Sequence, residues 1–207
     1  MMSEFIVSQV CVGGFDQNFS YLIVHPDTGE SAVVDPCGDV SLIREVCNKH
    51  EQIVPKYILI THGHGDHTSG ICEIRSFFNA PVAAHPDSPV KSDISVHDRE
   101  RLEFGNSFFE CFYAPGHTGD SMLYKLGDDS AVFTGDTLFV DWCGYCEPER
   151  MFRTMREVVF PLPDSCEVYS GHNYGRVPHS SLGREKVCNP YLSAETFDIF
   201  KGALKNL

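Results

Sequence analysis

The sequence predicts an α/β domain in which two β-sheets pack together with helices on their outer faces. Short runs of β-branched and aromatic residues recur between turn signals along the whole chain, and segments with helical apolar spacing are interspersed among them. At 207 residues and 42% apolar content the chain has material for one sizeable core. No Ser/Gly-rich or Pro-rich linker and no internal repeat divides it, so a single domain over residues 1–207 is expected.

Residues 5–12, 21–24 and 32–34 are extended apolar runs between turn signals, the last closed by Asp35-Pro36, and read as hairpin strands. Val40, Ile43, Val46 and Cys47 fall at helical spacing within 40–50, Pro55 ends the connection, and Tyr57-Ile58-Leu59-Ile60 is a strand. Ile71, Ile74, Phe77 and Phe78 mark a second amphipathic helix, stopped by Asn79-Ala80-Pro81 before a short strand at 82–84. Residues 108–113, 122–126 and 131–134 read as three strands, the last two joined through Gly127-Asp128-Asp129. A helix starts after Pro148 with Met151, Phe152, Met155, Val158 and Val159 on its apolar side; Val168-Tyr169 is a strand and 194–204 a final helix. That helix is read as packing on the domain, with cover of a homodimer interface as the alternative.

Composition narrows the function. Sixteen Lys+Arg against 29 Asp+Glu give a net charge of −13, a field that repels phosphate backbones, and no basic stripe offsets it. Nucleic acid is therefore not expected as a partner. No apolar run approaches the roughly 18 residues of a membrane span, and the start of the chain lacks the basic segment of a secretory signal, so a cytoplasmic protein away from the membrane is expected. The 9 cysteines are odd in number and scattered, which reads as reduced thiols. The 10 histidines are more telling, because several stand beside glycines and acids.

The central signal is Thr61-His62-Gly63-His64-Gly65-Asp66-His67, directly after an apolar strand. At an extended strand end, residues i and i+2 project to the same side, so His62 and His64 can approach one cation together. Asp66 and His67 follow Gly65, where the chain can turn to face a second position. Imidazole and carboxylate are the donors that zinc and iron take. With histidine at 10 of 207 residues, three histidines and an aspartate at this spacing arise by chance somewhere among roughly 200 windows of the chain with a probability of roughly 10⁻³. The plain alternative makes Asp66 a helix cap. His117 in Pro115-Gly116-His117-Thr118, Asp136 in Gly135-Asp136-Thr137 and His172 in Gly171-His172-Asn173 each follow a strand beside a glycine, where the loops of a rigid sheet carry function. Together these residues suit two metals sharing one carboxylate.

In this order the motifs resemble those of the metallo-β-lactamase superfamily over nearly the full chain. The resemblance implies a four-layer αβ/βα sandwich of two mixed sheets with helices on the outer faces. It implies one ion on His62, His64 and His117, a second on Asp66, His67 and His172, and Asp136 between them. Two divalent ions are the implied cofactor, zinc first, with iron or manganese fitting the same donors. Asp136 and the missing export signal point away from antibiotic hydrolysis.

Within the superfamily the sequence is similar to the glyoxalase II group, the hydroxyacylglutathione hydrolases, through Asn18-Phe19-Ser20-Tyr21-Leu22, residues 61–70, Pro115-Gly116-His117-Thr118, Gly135-Asp136-Thr137-Leu138-Phe139, Cys143-Gly144 and Gly171-His172-Asn173-Tyr174. That likeness implies hydrolysis of a small thioester such as S-lactoylglutathione, with Asp66 and Asp136 as catalytic carboxylates and Tyr174 and Tyr145 at the substrate. The chain ends at Leu207 without the C-terminal helices that hold glutathione in that group, and Tyr145 stands where the group has a basic residue. The shorter tail also resembles the persulfide dioxygenases, which retain much of the same histidine pattern yet use one iron on the equivalents of His62, His117 and Asp136. Those enzymes carry Arg and Asp shortly after Cys-Gly, where this chain has Tyr145-Cys146-Glu147. Hydrolysis is the leading expectation; the dioxygenase, or a hydrolase of another ester, a phosphoester or a lactone, is the alternative.

Cys143 and Cys146 have the CxxC spacing of a redox pair, yet with no thioredoxin-like unit around them they read as ordinary loop cysteines. His85 reads as structural, with a substrate contact as the alternative. His25, His50, His97 and His179 are assigned no role, and Phe77, Phe78, Phe108 and Phe109 are read as core.

Overall fold

The computed structural model describes residues 5–205. The first four residues, part of the segment read for an export signal, and Leu207, on which the reading of a short tail rests, lie outside the described residues. The strands form two six-stranded sheets. In the first, β1 (Ile6–Gly13), β2 (Asn18–Val24) and β3 (Glu30–Val34) are an antiparallel meander, and β4 (Val54–Leu59), β5 (Val82–Ala84) and β6 (Ile94–Ser95) continue it in parallel. In the second, β7 (Arg101–Phe104), β8 (Ser107–Tyr113), β9 (Met122–Leu126) and β10 (Ala131–Gly135) are antiparallel. β11 (Glu167–Ser170) runs parallel to β10, and β12 (Ser180–Ser181) closes the edge antiparallel.

Helices α1 (Val40–Cys47), α2 (Gly65–Thr68) and α3 (Ile71–Ile74) fill the crossovers of the first sheet. Helix α4 (Pro148–Thr154), continued by a π-helical turn over Met155–Val159, makes the crossover from β10 to β11, and α5 (Leu182–Cys188) and α6 (Phe197–Leu204) follow β12.

Alternation along the strands explains the layering, because successive side chains point to opposite faces. Phe19, Tyr21 and Ile23 of β2, with Tyr57 and Leu59 of β4, meet Phe109, Tyr124 and Phe133 from the second sheet in a core between the sheets. The intervening Leu22, Val33 and Ile58 face outward and are covered by Val40, Ile43 and Ile74. Leu123 and Val132 face outward from the second sheet beneath Met151, Met155 and Phe200. Both faces of both sheets are covered, giving the four-layer sandwich of two mixed sheets that the sequence predicts.

Several elements differ from expectation. The second amphipathic helix is a single turn, α3, because beyond Ile74 the chain proceeds by looser turns; Phe78 is buried all the same and Phe77 half-buried under Arg44. The last helix begins at Phe197 and not at 194, capped by Thr196, whose hydroxyl accepts the Ile199 N–H. β6, β7, β12 and α5 have no counterpart in the sequence reading. The first three are too short to show a period, and α5 buries a charged Glu185 in place of an apolar stripe. Among the described residues no helix is long and apolar enough to cross a membrane.

The Glu185 carboxylate is wholly buried, accepting from the Asp141 backbone N–H at 2.8 Å and from Asn189 Nδ2 at 3.1 Å and pairing with Arg184 at 2.5 Å. Glu185→Ala leaves those buried donors unpaired. The variant should lose about 2 kcal/mol of unfolding free energy, read by chemical denaturation.

Candidate metal centre

Five strand ends meet at one edge of the sandwich. β3 runs into Asp35, β4 into residues 61–67, β8 through Pro115-Gly116 into His117, β10 into Asp136, and β11 into His172. Two glycines make this convergence physically feasible. Gly135 has a φ of +49°, and a Cβ there would lie 2.4 Å from Thr61 Oγ1. A Cβ on Gly171 would lie 2.3 Å from Asp136 Oδ1. Neither space admits a side chain.

The expected donors fall into two clusters. His64 Nδ1 lies 3.0 Å from His62 Nε2 and 3.1 Å from His117 Nε2. His172 Nε2 lies 3.2 Å from His67 Nε2 and 3.4 Å from Asp66 Oδ2. Asp136 sits between the clusters, its Oδ2 at 3.5 Å from His117 Nε2 and 3.3 Å from His172 Nε2, and its Oδ1 at 3.3 Å from His67 Nε2. Donors bound tetrahedrally to one zinc at about 2.0–2.1 Å stand about 3.4 Å apart, close to these separations. Asp136 is 8% exposed, and its Oδ1 has no hydrogen-bond partner. A buried carboxylate oxygen left in that state is what a cation would satisfy, so the residues fit a pair of divalent ions.

The nitrogens pointing away from this centre are fixed. His67 Nδ1 contacts Asp35 Oδ2 at 3.0 Å, His117 Nδ1 the Tyr145 carbonyl at 2.7 Å, and His172 Nδ1 the Asp16 carbonyl at 2.7 Å. Each carbonyl accepts from Nδ1, which sets the tautomer and presents Nε2 inward. Asp35 also accepts from the Thr61 N–H and hydroxyl, and Thr61 Oγ1 lies 3.2 Å from His62 Nδ1. One buried carboxylate thereby orients two imidazoles. Asp66 is held from the other side by Asn18, whose Nδ2 donates to its carboxylate and to its carbonyl.

The charges are strongly coupled. Burial pulls the His67 imidazole down, but Asp136 and Asp35 outweigh it and raise its pKa to about 10. Burial pushes the Asp136 carboxyl up, yet His172 and His67 hold it well below the usual carboxylate range. His62 goes the other way, driven down by burial and by the neighbouring His67.

Asp66 is not a cap: α2 begins at Gly65 with His64 before it, and the Asp66 carboxylate turns to the centre. Tyr174 and Tyr145 line a cavity of about 570 Å³ that opens on His117 and Asp136. The Tyr174 ring stacks on His172 with centroids 4.8 Å apart, and its hydroxyl donates to Asp16. Cys143, buried, lies against Cys146; their hydrogen bond pushes the Cys143 thiol up and the Cys146 thiol down. All 9 cysteines are free thiols. His85 stands outside both clusters, stacked on Tyr113. His25, taken from its polar neighbours to be without a role, is buried against Phe5 and Thr28. Asp35 and Asp16 were given no place at the site by the sequence reading, and Asn18 entered it only within a matched stretch, with no role of its own. The signal for Asp35 was its place directly after a strand, the same as that of Asp136.

The metallo-β-lactamase superfamily model matches residues 13–91. A probable polyketide biosynthesis zinc-dependent hydrolase, PksB of Bacillus subtilis, is 30% identical over 194 residues, covering 88% of this chain and 85% of that protein. The chain belongs to the metallo-β-lactamase superfamily. The superfamily relatives are of more than one kind. A hydroxyacylglutathione hydrolase of Rhodopseudomonas palustris is 34% identical over 163 residues, 76% of this chain and 63% of that protein. The mitochondrial persulfide dioxygenase ETHE1 of Bos taurus is 27% identical over 195 residues, 88% of this chain and 74% of that protein. The crystal structure of ETHE1 from Myxococcus xanthus superposes with a TM-score of 0.84 at 27% identity, covering 97% of this chain and 90% of that one.

Asp35→Asn should weaken metal binding about 10- to 100-fold, because it removes the anionic partner of His67 Nδ1 while leaving the other donors in place. Equilibrium dialysis with a competing chelator measures this. Metal uptake at pH 7 should also release protons, since His67 is protonated below about 10 in the metal-free protein and must be neutral to bind. Affinity therefore rises with pH, and calorimetry in buffers of different ionisation enthalpy counts the protons.

Proposed function

We propose that this chain is a binuclear metal-dependent hydrolase of a small thioester, in the manner of the glyoxalase II group. The observation that carries the reading is the second donor set. Asp66, His67 and His172 are gathered as tightly as His62, His64 and His117, and Asp136 touches both sets. Asp66, His67 and His172 would give a second ion donors of its own, which a single iron on His62, His117 and Asp136 would leave unused. His62, His64 and His117 would hold one ion and Asp66, His67 and His172 the other, with zinc the metal we favour over iron or manganese.

Bound divalent ions supply an activated water near neutral pH and a Lewis acid for a carbonyl oxygen. The protein does the positioning. The cavity beside His117 and Asp136 takes the thioester with its carbonyl toward the donor clusters, where a bound ion would polarise it. Asp66, immobilised by Asn18, orients the attacking water by accepting its hydrogen bond. The departing thiol has an ordinary pKa of about 8.5, so it leaves as thiolate with little help from a general acid. The proposed partner is the small thioester alone, without nucleic acid or membrane, in the cytoplasm.

The names of the PksB and Rhodopseudomonas relatives support hydrolysis. The ETHE1 likeness supports a second reading, an iron enzyme consuming oxygen and a persulfide. Anaerobic assay of the metal-analysed protein on S-lactoylglutathione separates the two. Release of free thiol at a kcat above about 1 s⁻¹ with two metals per chain is expected. One iron per chain and no turnover until oxygen and a persulfide are added would transfer the assignment to the dioxygenase. Asp136→Ala should lose both metals and activity while keeping its circular dichroism.

A further inference from the structure

Resting on the thioesterase reading, we infer that the cavity selects a thioester whose thiol portion is uncharged and aromatic or apolar, and disfavours the glutathione thioester. Four aromatic side chains, Phe139, Trp142, Tyr145 and Tyr174, form its walls, with Gln17 and Asn173 as the neutral polar residues among them. No lysine or arginine is among the lining residues. The charged groups at its base are the donors His117 and Asp136.

Glutathione carries two carboxylates and one ammonium, and a carboxylate leaving water without a cationic partner is penalised. Two arginines that follow Tyr174 in the chain are already paired with a carboxylate. Arg176, two residues beyond Tyr174, pairs with Asp141 at 3.2 Å, and Arg184 pairs with the same carboxylate at 2.9 Å. Both are held at Asp141, the residue before Trp142, and neither is among the lining residues. The Tyr174 hydroxyl donates to the Asp16 carboxylate, so a wall residue is itself tied to an acid and not to a cation.

The rim carries the same preference. Tyr145 is 86% exposed and Trp142 39% exposed, and both line the cavity. Large rings left this bare in water gain most from covering a ring or alkyl group. Aromatic side chains also impose little entropy cost when they close on a ligand, having few rotatable bonds. The walls are therefore built for π-faces and hydrocarbon, and the acyl carbonyl is left to the donor clusters.

The test compares two lactoyl thioesters that share the same carbonyl, one of benzyl mercaptan and one of glutathione, on the metal-loaded protein. The benzyl ester should have a kcat/KM at least about tenfold higher, and Tyr145→Arg should narrow that ratio by raising the value for the glutathione ester. Binding is read separately. Trp142 is the sole tryptophan, so its fluorescence reports occupancy of the cavity by thioethers that cannot turn over. Benzyl methyl sulfide should quench it at concentrations where S-methylglutathione does not. Equal or reversed preference in both measurements would overturn the inference and leave the thioesterase reading standing. Selective quenching without hydrolysis of either ester would overturn the thioesterase reading and uphold the cavity's preference.

Discussion

A carboxylate more than nine-tenths buried, with one oxygen lacking any hydrogen bond, sets the terms for the rest of this molecule. An uncompensated charge of that kind costs several kcal/mol, so Asp136 can remain ionised only while imidazoles and cations crowd around it. The crowding creates its own difficulty, because imidazoles that close to one another repel when protonated. Asp35 and Asp136 push His67 toward its protonated form, whereas burial and the neighbouring His67 drive His62 the other way. The order in which these groups hold protons follows from where the two buried aspartates stand.

Holding donors a few tenths of an ångström from binding distance requires that the two sheets not slide. Hydrogen bonds between the sheets are concentrated at this edge. Tyr21 of the first sheet donates to the Ser170 carbonyl of the second, and Tyr124 of the second donates to the Ile60 carbonyl of the first at 2.8 Å. Backbone N–H groups do the same: Phe19 to the Gly171 carbonyl at 2.8 Å and Met122 to the Thr61 carbonyl at 2.7 Å. The apolar core supplies adhesion between sheets but little register. These bonds supply the register, and they sit beside His62, Asp136 and His172, where a shift would cost most.

The central strands were legible in sequence because two covered faces demand apolar residues without interruption, as in β2 and β9, or regular alternation. The donor histidines and aspartates were legible because metal chemistry needs those residue types beside glycine at strand ends. Asp35 also follows a strand end but has Pro36 beside it in place of glycine, and it was overlooked because a single aspartate before proline also signals an ordinary turn. Its φ of +47° marks it as a residue held by its surroundings. Asn18 and Asp16 act through one amide and one backbone carbonyl, and a carbonyl belongs to every residue, so sequence carries no mark of it. The Tyr174 hydroxyl could be placed near the site from sequence but not assigned its partner, because Asp16 lies 158 positions away.

The donors and the cavity walls come from different parts of the fold, and this bears on what family membership can decide. Donors hang from the ends of central strands pinned between two cores. The walls come from the β1–β2 loop, the segment from Phe139 to Tyr145 and the residues after His172, which are anchored to the donors by single contacts such as Gly144 N–H to the Asp136 carbonyl at 3.0 Å. A wall residue such as Tyr145 holds His117 with its backbone and meets the cavity with its side chain. Its side chain can therefore change while the carbonyl keeps the imidazole in place. That separation lets relatives named as hydrolases of different compounds and as a dioxygenase share one fold. Substrate preference has to be read from the walls, and here the walls are aromatic and lack a cation.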